Sequence, residues 1–378
     1  MSNRKQLGRF PVNCLKRVEQ PTTRITDNIQ RFDVREHGFF RAMRGDFGPS
    51  VKAEFLRFNY KYPLVAALQD MTTFLAPKAV GDIAPSKAPI PTDPEALSRH
   101  VKMLGYFLGA DMVGICRLPQ WAVYSNDTSG NAIELTHKFA IVMLIDQGYE
   151  TFSGSTGNDW IGSSLSFRAY ATEGLISINM ANYIRRLGYP ARAHHGPYNY
   201  QVAMPPLVLL AGLGEVSRTG VVLNPFLGLR FKACAVTTDL PLTPDKPIDF
   251  GLQKFCQYCK KCARECPPNA ISVGDKVMYN GYETWKLKVE RCSIYRITNR
   301  KGSACSRCIK VCPWNKPQGW THDVTRWMVR HSPFLDRFVI KMDDVWGYGK
   351  QKIEDKWWFD LEEIDGILRV AGHSGKPE

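Results

Sequence analysis

Two rhythms of apolar residues run through this chain. The stretches 112–115, 139–145 and 233–238 are short, continuous and bounded by polar or turn residues, and they predict buried strands. Between 170 and 187 the spacing changes. Leu175, Ile178, Ala181, Ile184 and Leu187 recur at every third position, predicting an amphipathic helix with Tyr170 at its start and Gly188 at its stop. Asp93-Pro94-Glu95 predicts the start of another helix over 96–108. Pro21-Thr22-Thr23 followed by Arg24-Ile25-Thr26-Asp27 reads as a turn and cap opening a short helix, inside an otherwise irregular, partly helical segment. The proline-rich stretch 84–91 reads as a linker. Gly212-Leu213-Gly214 lacks the third glycine of a dinucleotide fingerprint and reads as a turn. Strands interleaved with helices imply an α/β (α+β) core.

Composition changes this picture in three places. The 378 residues allow two or three domains, or one large domain with an insertion. The apolar runs 139–145 and 207–213 are far too short to span a bilayer. Met1–Leu7 shows neither an apolar signal region nor a twin arginine, so a cytoplasmic location is expected, with export only if such a signal precedes the chain. The net charge is +14 and uneven: between 251 and 320, fourteen Lys and Arg stand against four Asp and Glu. That basic face admits three readings. It binds nucleic acid, it docks an acidic electron donor, or it offsets anionic groups within the segment itself.

The third reading has a source in the cysteines. Eight of the eleven fall into two linked runs, Cys256-x2-Cys259-x2-Cys262-x3-Cys266-Pro267 and Cys292 with Cys305-x2-Cys308-x3-Cys312-Pro313. The first is the bacterial ferredoxin spacing for [4Fe–4S] clusters, in which the fourth cysteine serves the other cluster. By that cross-over, Cys256, Cys259, Cys262 and Cys312 are expected to hold one cluster, and Cys266, Cys292, Cys305 and Cys308 the second. A structural zinc site needs four ligands, usually two CxxC pairs, and a disulfide framework belongs to small secreted domains. Neither matches eight cysteines in this order. Cys14, Cys116 and Cys234 stand apart and are expected to be buried packing residues.

Around the cysteines other landmarks accumulate. The second run ends in Cys312-Pro313-Trp314. Arg17-Val18-x2-Pro21-Thr22-Thr23 with Arg31-Phe32 lies near the N-terminus. Tyr183-Ile184-Arg185-x-Leu187-Gly188-Tyr189-x-Ala191 ends the predicted helix. Then come Ala211-Gly212-Leu213-Gly214-Glu215-x-Ser217-Arg218-x-Gly220 and Gly347-Tyr348-Gly349. Together these resemble the cobamide-dependent reductive dehalogenases, across nearly the whole chain. The resemblance implies a nitroreductase-like corrinoid-binding core with an inserted ferredoxin-like segment. The layout would be 1–90 as an N-terminal segment, 91–249 as the core, 250–320 as the two-cluster domain and 321–378 as a C-terminal segment packing back on the core. It implies two [4Fe–4S] clusters and a cobamide, of cobalamin or norpseudo-B12 type, held base-off without a histidine ligand. None of the eight histidines stands in an Asp-x-His-x-x-Gly motif. The twin-arginine signal of respiratory members is not seen, which makes export and a membrane-anchor subunit doubtful.

For the chemistry, the resemblance implies replacement of carbon–halogen by carbon–hydrogen in a small organohalide. Electrons would come from an acidic donor such as a ferredoxin or flavodoxin, and no nucleic-acid partner is expected. A proton donor is needed beside the corrinoid. The resemblance assigns it to Tyr170, with Lys232, placed just before the strand 233–238, as its cationic partner; a neighbouring cation stabilises a phenolate. Arg296 is a further candidate cation for the departing halide. His194 and His195 either line the pocket or belong to a polar loop. Two other functions share the cofactors. Epoxyqueuosine reductase has the same cysteine order, but an aspartate in an Arg-Asp-Tyr-His-like run, where this chain reads Ser166-Phe167-Arg168-Ala169-Tyr170. A plain electron carrier would not need some 250 residues before the clusters.

Overall fold

The apolar run after residue 138 is continuous because it is covered on both faces. In β2 (Phe139–Asp146) the odd residues Phe139, Ile141, Met143 and Ile145 enter one core, and Ala140, Val142 and Leu144 enter another. This strand sits inside a four-stranded antiparallel sheet. Its neighbours are β1 (Met112–Arg117) and β4 (Phe231–Thr238), and β3 (Ala191–His194) closes the far side in the order β1-β2-β4-β3. The antiparallel pairing places the core at the α+β end of the expected class. The computed structural model describes residues 8–356, 361–364 and 367–370. Among the described residues no helix is long and apolar enough to cross a membrane.

One face of the sheet is covered by a long central helix, Ile161–Arg186, through Ile176, Ile178, Met180, Ala181 and Ile184. The helix begins well before Tyr170, which corrects the sequence expectation. Its first turns read Ile161-Gly-Ser-Ser-Leu-Ser, a composition with weak helix propensity. Serine hydroxyls are satisfied within the helix: Ser163 donates to the Trp160 carbonyl at 2.9 Å and Ser166 to the Gly162 carbonyl at 2.9 Å. Leu175 is also half exposed, and Ile176 takes the core position instead. The helix 96–108 is observed as Pro94–Phe107, capped by the Asp93 carboxylate, which accepts from the backbone N–H groups of Glu95 and Ala96.

No helix forms at Arg24. Ile25 bridges Tyr282, Thr26 N–H donates to the Gly281 carbonyl at 2.7 Å, and Glu283 N–H donates to the Arg24 carbonyl at 2.9 Å. The segment pairs its backbone groups with the hairpin of strands Val277–Tyr279 and Tyr282–Thr284 instead. Cys14 is exposed, against expectation, whereas Cys116 and Cys234 are buried as expected.

A third core surrounds the first cysteine run. Phe250, Phe255, Cys256, Cys259, Trp285, Cys312 and Trp314 pack together, joined by Val329 and Ile340 from the helices Trp320–His331 and Asp336–Val345. The C-terminal helices thus pack against the cysteine segment. Trp346 is largely exposed; Trp357 and Trp358 lie outside the described residues.

Candidate active site

The cysteine runs are anchored by buried charges. Arg218, almost fully buried, donates to the carbonyls of Cys256 (2.8 Å), Ser272 (2.9 Å) and Gly274 (3.0 Å), and its guanidinium lies over the Trp285 ring. Glu215 joins three segments: it accepts from Thr22 Oγ1 at 2.5 Å, from Phe250 N–H at 2.7 Å and from Gln253 Nε2 at 3.2 Å. Asp343 receives Lys261 at 2.6 Å and also pairs with Lys316, clasping the two ends of the cysteine segment from the C-terminal helix.

Burial pushes the Cys256, Cys259, Cys262 and Cys312 thiols up, Cys259 to about 11 and Cys312 to about 12. Neighbouring thiols add to this within the set: Cys256 feels Cys312 and Cys259, and Cys262 feels Cys312, Cys256 and Cys259. Burial likewise raises Cys292, Cys305 and Cys308 of the second set. After burial, Cys308 is raised by Cys305, Cys292 and Cys266, and Cys305 by Cys292 and Cys266. One influence crosses between sets, from Cys308 to Cys262. Apart from that one, these influences stay within the two sets expected from the spacing. Buried thiols raised in this way ionise only when a metal holds them.

The central helix carries the site toward these groups. Its first turn meets the second cysteine run: a Cβ on Gly162 would lie 2.3 Å from Ser306 Oγ, so any larger residue would push that side chain aside. Further along the same helix, Tyr170 projects toward β4. Lys232 is not ahead of that strand but within it, opposite Ile145, which corrects the sequence expectation. Its Nζ lies 4.8 Å from the Tyr170 ring centroid, a cation over the ring face. Tyr198, whose hydroxyl burial pushes up to about 12, also feels Tyr170 and Tyr60.

Arg296 sits elsewhere, against the second cysteine group. Its guanidinium lies over the Phe39 ring at 4.6 Å and its charge opposes the rise that burial gives the Cys292, Cys305 and Cys308 thiols, while its Nε is buried without a hydrogen-bond partner. His37 keeps exposed surface, yet desolvation by the protein around it and the Arg296 charge take it down to about 4. An aromatic chain, His37–Phe40 at 6.1 Å and Phe40–Tyr198 at 6.2 Å, leads from Arg296 toward the tyrosine. His194 and His195 are buried structural residues: His194 bonds Thr237 Oγ1 at 2.9 Å and His195 bonds Asn199 at 3.1 Å.

Sequence reasoning passed over Glu173, three residues after Tyr170 on the same helix. It is fully buried, accepts from Gly196 N–H at 2.5 Å and from the Tyr200 hydroxyl at 2.7 Å, and burial pushes it up to about 8 against the pull of Lys232. The available signal was its place: a Glu one turn from a candidate donor on an otherwise apolar face. A cavity of about 170 Å³ also escaped notice. Lys310, Lys350, Lys352, Tyr149 and Tyr348 line it beside the second cysteine run.

An antiparallel α+β core joined to a segment with two groups of four cysteines defines a two-cluster iron–sulfur protein. The 4Fe-4S dicluster domain matches residues 255–316. Tetrachloroethene reductive dehalogenase of Sulfurospirillum multivorans is 31% identical over 324 residues, which is 76% of this chain and 62% of that protein. The structure of a catabolic reductive dehalogenase in complex with 3-bromo-4-hydroxybenzoic acid is 46% identical and superposes with a TM-score of 0.92, covering 96% of this chain and 53% of that one. Epoxyqueuosine reductase of Salmonella typhimurium is 25% identical over 154 residues, 35% of this chain. The chain belongs to the reductive dehalogenase family, whose members carry two [4Fe–4S] clusters and a corrinoid. It spans between half and two thirds of the length of these two dehalogenases.

The residues present fit those groups. Eight thiols in the ferredoxin order suit two cubic clusters: Cys256, Cys259 and Cys312 are buried, the other five are half-buried, and no pair is joined in a disulfide. Gln147 Oε1, Glu173 Oε2 and Ser303 Oγ are buried polar atoms without a hydrogen-bond partner. A corrinoid, whose rim is lined with amides, supplies groups of the kind such atoms lack.

Proposed function

We propose that the chain catalyses reductive dehalogenation of a small organohalide, R–X + 2e⁻ + H⁺ → R–H + X⁻. The observation that carries this reading is the Lys232 ammonium over the Tyr170 ring, on a helix whose first turn abuts the cysteine segment. Cys256, Cys259, Cys262 and Cys312 would hold one cluster, and Cys266, Cys292, Cys305 and Cys308 the second. When bound, the corrinoid supplies the electron-rich centre at which the carbon–halogen bond breaks. Tyr170 gives its hydroxyl proton to the carbon that has lost halide. Lys232 offsets the phenolate that remains, so that the charge developing at Tyr170 Oη forms beside a fixed cation. Arg296 carries the charge suited to receive the departing halide. The fourteen cations of segment 251–320 form the face on which an acidic donor, a ferredoxin or flavodoxin, would dock. Labile clusters suit a reducing compartment, and cytoplasm is our reading.

The test is anaerobic reconstitution with iron, sulfide and cobalamin, followed by a halide-release screen over chloroethenes and halogenated phenols. Halide release that Tyr170→Phe suppresses supports the proposal. A loaded enzyme that releases no halide from any of them, but reduces epoxyqueuosine in a tRNA stem-loop, would replace it.

A further inference from the structure

Glu173 joins the three pieces that make the Tyr170–Lys232 pair. It stands on the same helix as Tyr170. Its Oε1 accepts the N–H of Gly196, and the Tyr170 ring packs on that glycine so closely that a Cβ there would lie 2.2 Å from Tyr170 Cδ1. The same oxygen accepts the Tyr200 hydroxyl, which also reaches the carbonyl of Ala233 at 3.0 Å, the residue next to Lys232 in β4. The other oxygen, Oε2, is buried without a hydrogen-bond partner.

We propose that Glu173 is a positioning residue for proton delivery: its carboxyl clamps the Gly196 turn beneath the Tyr170 ring, and its charge state decides whether Lys232 serves that ring alone. The inference rests on Tyr170 being the proton donor. The groups around Glu173 are few. Lys232 and Cys234 face it from β4, Tyr200 from the loop after β3, and His195 lies against the adjacent Gly174. Lys232 is the only cation among them. Burial outweighs that cation and holds the carboxyl proton up to about 8. Below that pH Glu173 is neutral and the full Lys232 charge faces Tyr170. As pH rises through about 8 the carboxylate forms and shares the ammonium, so the phenolate left by proton transfer is less well compensated and turnover falls.

Glu173→Gln keeps the acceptor for Gly196 and Tyr200 and removes the titration. In the holoenzyme, the alkaline limb of kcat against pH is expected to move up by about one pH unit or more. Tyr200→Phe removes a hydrogen bond that favours the carboxylate and is expected to move the limb the same way. Glu173→Ala opens the clamp and is expected to cost about 10²-fold in kcat, as a small displacement of a reacting group does. A readout without turnover is the Tyr170 ring resonance in oxidised holoenzyme labelled with ¹³C-tyrosine, assigned by its loss in Tyr170→Phe. It is expected to shift with a midpoint near 8 in the wild-type protein and to stay flat in Glu173→Gln. Identical titration of that resonance in both proteins, or superimposable pH profiles, overturns the inference. An enzyme that releases no halide, yet shows the resonance shift lost in Glu173→Gln, refutes the dehalogenation reading and leaves the clamp standing.

Discussion

Lys232 Nζ stands 4.8 Å above the Tyr170 ring centroid although the two residues come from different elements, the middle of the central helix and the second position of β4. The strand register that sets Lys232 opposite Ile145 fixes the cation, and the sheet-packed helix fixes the ring. Two long side chains held this way are already ordered at the moment of reaction, so little entropy is lost in bringing them together.

Tyr170→Phe removes only the hydroxyl and keeps the ring under Lys232. Folding and cofactor content are expected to survive, and the dehalogenation rate to fall about 10²–10⁴-fold, the usual range for a lost general acid. Lys232→Met is expected to slow turnover as well. The double variant is expected to be little worse than Tyr170→Phe, because the two act as one unit. Single-turnover halide release at matched cobalt and iron content measures all three. A wild-type rate in Tyr170→Phe places the acid elsewhere.

Gly196→Ala tests the seat of the ring. The new Cβ would lie 2.2 Å from Tyr170 Cδ1 and 2.3 Å from Cε1, so the ring has to move. A displaced hydroxyl of about 1 Å costs about 10²-fold. Iron content is expected to be unchanged, and the rate is compared at matched cobalt content. A variant with the wild-type rate would show that the ring's position is not what matters.

The ion cluster at Asp343 makes a stability prediction. Its carboxylate is 4% exposed and receives Lys261 and Lys316 from the two ends of the cysteine segment. Asp343→Ala leaves Lys316 buried with no carboxylate, and Lys261 with Asp344 alone, at 2.7 Å. Removing one side of a buried pair costs about 3–5 kcal/mol. Anaerobic denaturant unfolding, followed by the cluster absorbance, is expected to show an earlier midpoint and earlier iron loss. An unchanged midpoint would mean that the lysines find other partners.

What could be read from the sequence follows physical locality. The iron–sulfur segment was legible because cluster ligation is written in cysteine spacing, and the 4Fe-4S dicluster domain matches residues 255–316. The strands were legible because a run such as 139–145 is apolar on both faces. The start of the central helix was not. Ser163 and Ser166 weaken its propensity, and the tertiary seat that compensates, Gly162 against Ser306, lies far off in sequence. The Arg24 helix failed for the converse reason: its backbone partners stand on a hairpin some 250 residues on. Glu173 was invisible because its role depends on a loop and a strand that meet only in the fold. The landmark Glu215–Arg218 was seen as a signature, and its physical content emerged only with the structure: both residues hold the cysteine segment in place.

That content makes the last prediction. Arg218 is 1% exposed and ties the Cys256 carbonyl to the carbonyls of Ser272 and Gly274, with its plane over Trp285. No lysine could reach this set, because a single ammonium lacks the planar fork that spans several carbonyls at once. Arg218→Lys and Arg218→Met are therefore both expected to loosen the two short helices carrying Cys256, Cys259 and Cys262, Leu252–Cys259 and Lys261–Arg264, while the second cysteine run, seated by Gly157 and Gly162 against 306–307, stays in place. Iron is expected to fall from about eight to about four atoms per chain after anaerobic reconstitution, one cubic cluster holding four. The electron paramagnetic resonance of the reduced protein should simplify from two interacting clusters to one. Full iron content in both variants would show that the cysteines hold this segment without the arginine, and that Arg218 is not its anchor.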